Sequence, residues 1–315
     1  MKNNDLISII VPCYNEEEGL NLFYEDLSKV IDNIKKYNFE IIFIDDGSKD
    51  NTIEKIYKLS KIDNRIKYIT FSRNFGKESA MLSGLKNCTG DFVVIMDADL
   101  QHPPQLLYEM IDGIENGYDS VATKRKNRKG EPLIRSYFAR MFYKIINKTS
   151  KVHITEAATD YRLMNRKMVN SVLELCEYHR FTKGIFEWVG FKTKWLEIDN
   201  VERVAGKTTW SFFGLLSYAI EGIVSFSVAP LKLASILGSL ISSGTFIYAI
   251  YVIVRTLILG KDVPGYASLL CIILFLGGIQ LISIGIIGEY LSRTYMEVKN
   301  RPNYITDKTN IKDIK

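Results

Sequence analysis

The sequence predicts an α/β domain built on a mostly parallel sheet, followed by an interfacial amphipathic helix and a two-helix transmembrane hairpin. Three observations carry this. Short apolar runs alternate with helices of amphipathic spacing through the amino-terminal half. Successive strands end in acid-rich or glycine-containing turns. Near the carboxyl end, two long runs hold almost no ionisable residue.

The first run, Leu6–Val11, reads as a buried strand and leads into Pro12–Glu18. It is too short for a secretory signal, ends at a proline and is followed by acids. A helix is expected over Gly19–Tyr37, from the spacing of Leu20, Phe23, Leu27, Val30, Ile31 and Ile34. Strand Glu40–Ile44 ends in Asp45-Asp46-Gly47-Ser48, and Asp50-Asn51-Thr52 are helix-start residues. Helix Ile53–Ser60, strand Arg65–Phe71, the polar turn Ser72–Lys77 and helix Glu78–Lys86 follow. The apolar run Phe92–Met96 leads into Asp97-Ala98-Asp99, ahead of helix Gln105–Asn116 and strand Ser120–Thr123. This alternation implies βαβ units and a mostly parallel sheet. Beyond it, helices are expected over Leu133–Asn147, Arg166–Leu175 and Lys183–Val189, and strands over Tyr161–Met164 and Lys192–Val201.

Pro12–Glu16, Asp45–Ser48 and Asp97–Gln101 should converge on one edge of the sheet, where open α/β sheets bind ligands. Asp97 and Asp99 would repel each other unless a positive charge lies between or beside them. A hard divalent cation carrying substrate phosphates suits such oxygen ligands. The alternative is that Asp99 caps a helix beginning near Pro103. No GxGxxG follows the first strand, which disfavours an ordinary dinucleotide fold. Gly206-Lys207-Thr208 fails as a P-loop end, because Val201 stands where the earlier glycine is needed.

The net charge of +5 is mild and no block argues for nucleic acid. The basic cluster Lys124–Lys129 reads either as a solvated loop or as an anion contact. Cys13, Cys88, Cys176 and Cys271 lack CxxC spacing, so reduced thiols are expected. His102, His153 and His179 form no HxxxH pair, which argues against a histidine-rich metal site.

Trp210–Phe226 places Phe212, Leu216, Ala219, Ile220 and Ile223 on one helical face, just ahead of a membrane span; an interfacial helix is expected. The runs Leu231–Val254 and Ala267–Ile287 are each long enough to cross the hydrocarbon layer, about 30 Å thick. The short connection between them makes a hairpin. The tail carries Arg293, Lys299, Arg301, Lys308, Lys312 and Lys315, against Arg255 and Lys261 in the connection. Positive-inside bias puts the tail and the α/β domain in the cytoplasm, on a multi-pass protein of the cytoplasmic membrane. The expected division is an α/β domain over 1–209, a juxtamembrane helix over 210–229, two spans within 230–291 (about 231–254 and 267–290) and a basic tail over 292–315.

Four motifs can then be read together: VPCYNEEE at Val11–Glu18, IDDGSKDNT at Ile44–Thr52, DADLQHPP at Asp97–Pro104 and ERVAGKT at Glu202–Thr208. With the hairpin and the closing GEYLSRTYMEVKNRPNY at Gly288–Tyr304, the chain resembles glycosyltransferase family 2. Within it, the polyprenyl-phosphate glycosyltransferases, such as dolichol-phosphate mannose synthases and bactoprenol glucosyltransferases, are the nearer match. The resemblance implies a GT-A fold and a membrane-bound hexosyltransferase that joins a sugar from a nucleotide donor to polyprenyl (undecaprenyl) phosphate, for cell-envelope glycan modification. It implies that Pro12, Tyr14, Glu16, Ile44 and Asp46 line the nucleotide pocket, with Asp97 and Ala98 beside the nucleotide. It implies that Asp99 binds Mg²⁺ or Mn²⁺, with Gln101 as a further oxygen ligand. Arg125, assisted by Arg128, and Arg203 match family arginines that contact phosphate. Thr208 and Thr209 depart from the family's R-x-x-G-x-S-K pattern, and Lys207 is the candidate to supply the missing charge.

The residues expected to carry catalysis are Asp99, Asp97, Arg125, Arg203 and Asp160. The lipid phosphate would be the nucleophile. Its second pKa is about 6, so it is ionised at neutral pH and needs no protein base. Asp160, in TDYRL, lies where other family 2 enzymes keep a base; a structural hydrogen-bonding role is the alternative. In-line attack predicts inversion at the anomeric carbon. UDP is preferred to GDP on the resemblance alone, the sugar stays open, and so does a homo-oligomer. Two other readings are a processive polysaccharide synthase, which usually carries a QxxRW motif absent here, and an inactive membrane scaffold.

Overall fold

The computed structural model of the protein describes residues 5–126, 133–150, 152–199, 224–260 and 265–312. Strands β1 (Leu6–Cys13), β2 (Asn38–Asp45), β3 (Ile66–Phe71) and β4 (Phe92–Ile95) alternate with helices α1 (Leu20–Asn33), α2 (Thr52–Ile62), α3 (Lys77–Asn87) and α4 (Leu106–Glu115). Then come β5 (Ser120–Arg125), α5 (Leu133–Thr149), β6 (Ala158–Asn165), α6 (Arg166–Glu174), α7 (Thr182–Trp188) and β7 (Thr193–Ile198). They form one eight-stranded sheet in the order β7-β5-β6-β4-β1-β2-β3-β8, closed at one edge by β8 (Thr306–Thr309). The neighbours of β1 are parallel to it, β2 and β3 are parallel, and so are β5 and β7. The sheet departs from parallel at β6, which runs antiparallel to β4 and β5, and at β8, antiparallel to β3.

Alternation along the strands makes two cores. In β1, Ile7, Ile9 and Val11 face one side with Phe23 and Leu27 of α1, while Ile10 faces the other with Met81 and Leu85 of α3. α3 lies close against β1 because Gly84 has no side chain: a Cβ there would stand 2.3 Å from Ile10 Cγ2. Pairing β1 with β2 in parallel, Cys13 opposite Asp45, brings the loops after both strands to the same edge. The loop after β4 joins them there.

Helices α8 (Ala229–Leu259) and α9 (Tyr266–Lys299) are both long and apolar enough to cross a membrane. Leu240, Phe246 and Leu281 are 66%, 67% and 72% exposed, the opposite of the strand residues, so these surfaces call for an apolar surrounding. α9 runs past the expected end of the second span to Lys299. The chain after it is not a loose tail: Tyr304 stacks on Phe71, with centroids 4.9 Å apart, and Asn310 accepts from Tyr68 N at 2.8 Å. Of the juxtamembrane helix expected over 210–229, residues 210–223 lie outside the described residues, and 224–226 are helical.

Candidate active site

The edge of the sheet where β1, β2 and β4 end has two halves. In the first, the β1–α1 and β2–α2 loops are laced together. Asn15, at φ 55°, donates its N–H to Ser48 Oγ (3.0 Å), and its side-chain oxygen accepts from Lys49 N (2.9 Å). Glu16 N donates to Thr52 Oγ1 (2.9 Å), and Glu17 Oε2 accepts from Asn51 N (2.7 Å). Gly47 adopts φ 67°, and a Cβ there would stand 2.5 Å from the Arg73 carbonyl carbon, so no other residue brings the β2 and β3 loops this close. Asp46 is buried and accepts from Phe75 N (2.6 Å) and Gly76 N (2.9 Å), fixing the loop ahead of α3. Burial pushes its carboxyl up to about 6, against the two backbone hydrogen bonds that lower it. Beside these loops lies a cleft of about 640 Å³, lined among others by Tyr14, Asp45, Tyr57, Arg73, Asp307 and Lys308. Tyr14 is 39% exposed and available to a flat ring.

The second half begins where β4 ends. The turn bends sharply at Leu100, φ 56°, and Asp99 Oδ1 accepts from Gln101 N at 3.1 Å. α4 starts later, behind Gln105 as its N-cap, with no side-chain cap bond, so Asp99 is not the cap of that helix. Asp97, Asp99 and His102 present ligand atoms all within 4.8 Å of one another. His102 is buried beside the Tyr161 ring, and its Nδ1 has no hydrogen-bond partner. Burial lowers its pKa against the pull of Asp97 and Asp99, which keeps the imidazole neutral, the form that ligates metal. Two carboxylates and a neutral imidazole with an unpaired, buried nitrogen fit a divalent cation such as Mg²⁺ or Mn²⁺. Arg125 Nη2 donates to Gln101 Oε1 at 3.3 Å, which brings a guanidinium to the rim.

Asp160, near the start of β6, completes this half. Lys77 Nζ lies 2.7 Å from both Asp97 and Asp160. Two unit charges about 4 Å apart repel by about 4 kcal/mol at an effective dielectric constant of about 20, so the lysine offsets a large cost. Burial raises the Asp160 carboxyl, but Lys77, Lys183 and Arg162 outweigh it and hold the acid well below the usual carboxylate range. Next to Lys77, Glu78 is bonded by Thr182 Oγ1, and burial pushes it up to about 7.

Asp97, Asp99, Gln101, Arg125 and Asp160 thus come together, with Tyr14, Glu16 and Asp46 in the neighbouring loops after β1 and β2. Pro12, the penultimate residue of β1, is partly exposed. The side chains of Ile44 and Ala98 are packed into the two cores, so contacts from these residues to a ligand run through backbone. Arg128, Arg203 and Lys207 lie outside the described residues. Sequence reasoning missed His102 and Lys77. His102 belongs to no HxxxH pair and Lys77 closes the polar turn Ser72–Lys77, so neither carries a local signal of its own.

The family profile of glycosyl transferase family 2 matches residues 8–173, which span every strand end just described up to Asp160. The chain belongs to this family. It is a glycosyltransferase with a GT-A fold, and the GtrB C-terminal hairpin profile matches residues 229–294, the segment of α8 and α9. Family 2 relatives match over nearly the full length. CsbB of Bacillus subtilis (strain 168), provisionally named a glycosyltransferase, is 48% identical, covering 97% of this chain and 92% of its own. The prophage bactoprenol glucosyl transferase homolog of Escherichia coli (strain K12) is 43% identical, covering 95% and 97%. The SfII prophage-derived bactoprenol glucosyl transferase of Shigella flexneri is 43% identical, covering 96% and 98%. Among solved structures, glucosyl-3-phosphoglycerate synthase from Mycobacterium tuberculosis, with Mn²⁺, UDP-glucose and phosphoglyceric acid, aligns at 16% identity and TM-score 0.49, covering 70% of this chain and 78% of that one. The hairpin associates the protein with a membrane.

Proposed function

We propose that the protein is an inverting glycosyltransferase that moves one sugar from a nucleotide donor, a UDP-sugar, to the phosphate of a polyprenyl lipid such as undecaprenyl phosphate. The observation that carries this is the Asp97–Asp99–His102 cluster at the ligand edge of the sheet, in a chain that continues into an apolar hairpin. Relatives matching along the whole chain and named bactoprenol glucosyl transferase support the lipid acceptor.

Asp97, Asp99 and His102, with Gln101 at the rim, would hold Mg²⁺ or Mn²⁺. Bound there, such an ion neutralises the charge that develops on the departing nucleoside diphosphate. The chain's own residues do the rest. Tyr14 offers a ring face to the base, and Asp46 holds the Phe75–Gly76 loop that borders the same half. Arg125 adds fixed positive charge beside Gln101, an electrostatic contribution that needs no reorganisation. Arg128, Arg203 and Lys207 are assigned to the phosphates by their motifs. The acceptor phosphate attacks already ionised, so Asp160 is not required as a base. The hairpin keeps the crevice at the bilayer surface, where a polyprenyl chain holds its headgroup, and the basic residues of the tail favour the cytoplasmic side.

A donor screen tests this. Purified full-length protein is given undecaprenyl phosphate, Mn²⁺ and a panel of UDP- and GDP-sugars, and the lipid product is weighed by mass spectrometry. Gain of one sugar on the lipid phosphate from a UDP-sugar is expected. A soluble polymer, or no lipid product from any donor, would overturn the proposal.

A further inference from the structure

Beyond the proposed metal ligands, the crevice holds a charge arrangement that extends from Asp97 to Asp160. The antiparallel register that sets Ile95 opposite Arg162, carried two residues further, sets Asp97 opposite Asp160. Like charges facing each other across a strand pair destabilise it. A phosphate arriving at the same place would meet both. Lys77 stands between them, with Nζ at 2.7 Å from each, so Asp160 is committed to an ion pair rather than left as a free base. A second cation bears on Asp160: Lys183 of α7, half-buried and without a hydrogen bond or ion pair among the described residues, follows Thr182, whose hydroxyl bonds Glu78 beside Lys77. Sheet order separates these groups from the nucleoside end. The Tyr14 and Asp45 loops follow β1 and β2, whereas Asp160 and Lys183 belong to β6 and to a helix beyond it, on the far side of β4.

A hydroxyl acceptor needs a base to take its proton. A phosphate acceptor is already an anion and needs cations instead. Paired acids bridged by one lysine and flanked by another suit the second and not the first. Resting on the glycosyl-transfer reading above, we propose that Lys77 and Lys183 form the subsite that receives the phosphate monoester of the acceptor, with Asp160 holding Lys77 in place. Lys77 is then the residue that fits this crevice to a phosphate rather than a hydroxyl.

The test uses full-length protein in detergent, undecaprenyl phosphate as acceptor, and the UDP-sugar found active in the donor screen. Initial rates against acceptor concentration are measured alongside UDP affinity by calorimetry with Mn²⁺. Lys77→Met is expected to lower kcat/KM for undecaprenyl phosphate by about 100-fold, as for loss of one preorganised charge, and to lower UDP affinity far less than that. Lys77→Arg should recover most of the loss. Lys183→Met, at a site with no hydrogen bond to lose among the described residues, should lower the same parameter by about 10-fold. Unchanged acceptor kinetics in Lys183→Met, or a Lys77→Met loss that falls equally on UDP affinity, overturns the subsite. No transfer by the wild type would instead overturn the glycosyl-transfer reading itself.

Discussion

Asp45-Asp46 at the end of β2 and Asp97-Ala98-Asp99 at the end of β4 read alike in the sequence: paired acids following a buried strand. The fold treats them differently. Asp46 spends both carboxylate oxygens on the backbone of Phe75 and Gly76, and its neighbour Gly47 lets the two loops touch. Its charge is absorbed in joining the loop after β2 to the loop ahead of α3. Asp97 and Asp99 instead converge with His102, which is left with a buried nitrogen and no partner. Asp97 and Asp99 converge beside His102 while each keeps a local partner, Lys77 and Gln101 N, whereas Asp46 gives both oxygens to one backbone loop.

Substitutions can break or sharpen this contrast, and the largest effect should come from Asp99. Asp99→Ala is expected to lower sugar transfer by at least about 1,000-fold, comparable to losing a principal charge-stabilising group, with melting temperature and membrane insertion unchanged. Full transfer activity in that variant would end the metal-site account. His102→Phe fills the same space against Tyr161 but removes the nitrogen. It should weaken Mn²⁺ binding by about 10- to 100-fold, read by titration with the metal alone. Tyr14→Ala should weaken UDP binding by about 10-fold, the scale of a lost base–aromatic contact, and leave Mn²⁺ binding as it was.

The smallest effect concerns Asp46 and pH. Burial raises its carboxyl in the folded protein to about 6, above its unfolded value. The folded state therefore binds the proton more tightly, and stability from this group is full below the unfolded pKa and lost as pH rises through about 6. The melting temperature of the wild type relative to Asp46→Asn should fall between about pH 4 and about pH 6. A constant difference across that window would show that Asp46 does not titrate there.

Most of the α/β framework was legible because its signals are local. Apolar runs such as Leu6–Val11 and Phe92–Met96, and the spacing through α1, depend only on neighbours in sequence. The antiparallel direction of β6 was not legible: Tyr161–Met164 is apolar whichever way it runs, and its direction follows from packing between β4 and β5. β8 was missed altogether. Thr306–Thr309 is polar, does not alternate, and becomes a strand because β3 offers an unpaired edge and Tyr304 finds Phe71. The acids and Gln101 were readable from motifs. Lys77 was not, since its position between Asp97 and Asp160 joins three elements distant in sequence.

The difference between the two acid pairs is tested most directly by UDP titration with and without Mn²⁺, in wild type, Asp99→Ala and Asp46→Asn. The wild type and Asp46→Asn should bind UDP more tightly when Mn²⁺ is present, and Asp99→Ala should bind it equally with and without the ion. Mn²⁺-dependent UDP binding that survives in Asp99→Ala and vanishes in Asp46→Asn would contradict the assignment of the β4 acids to the metal and the β2 acids to the framework.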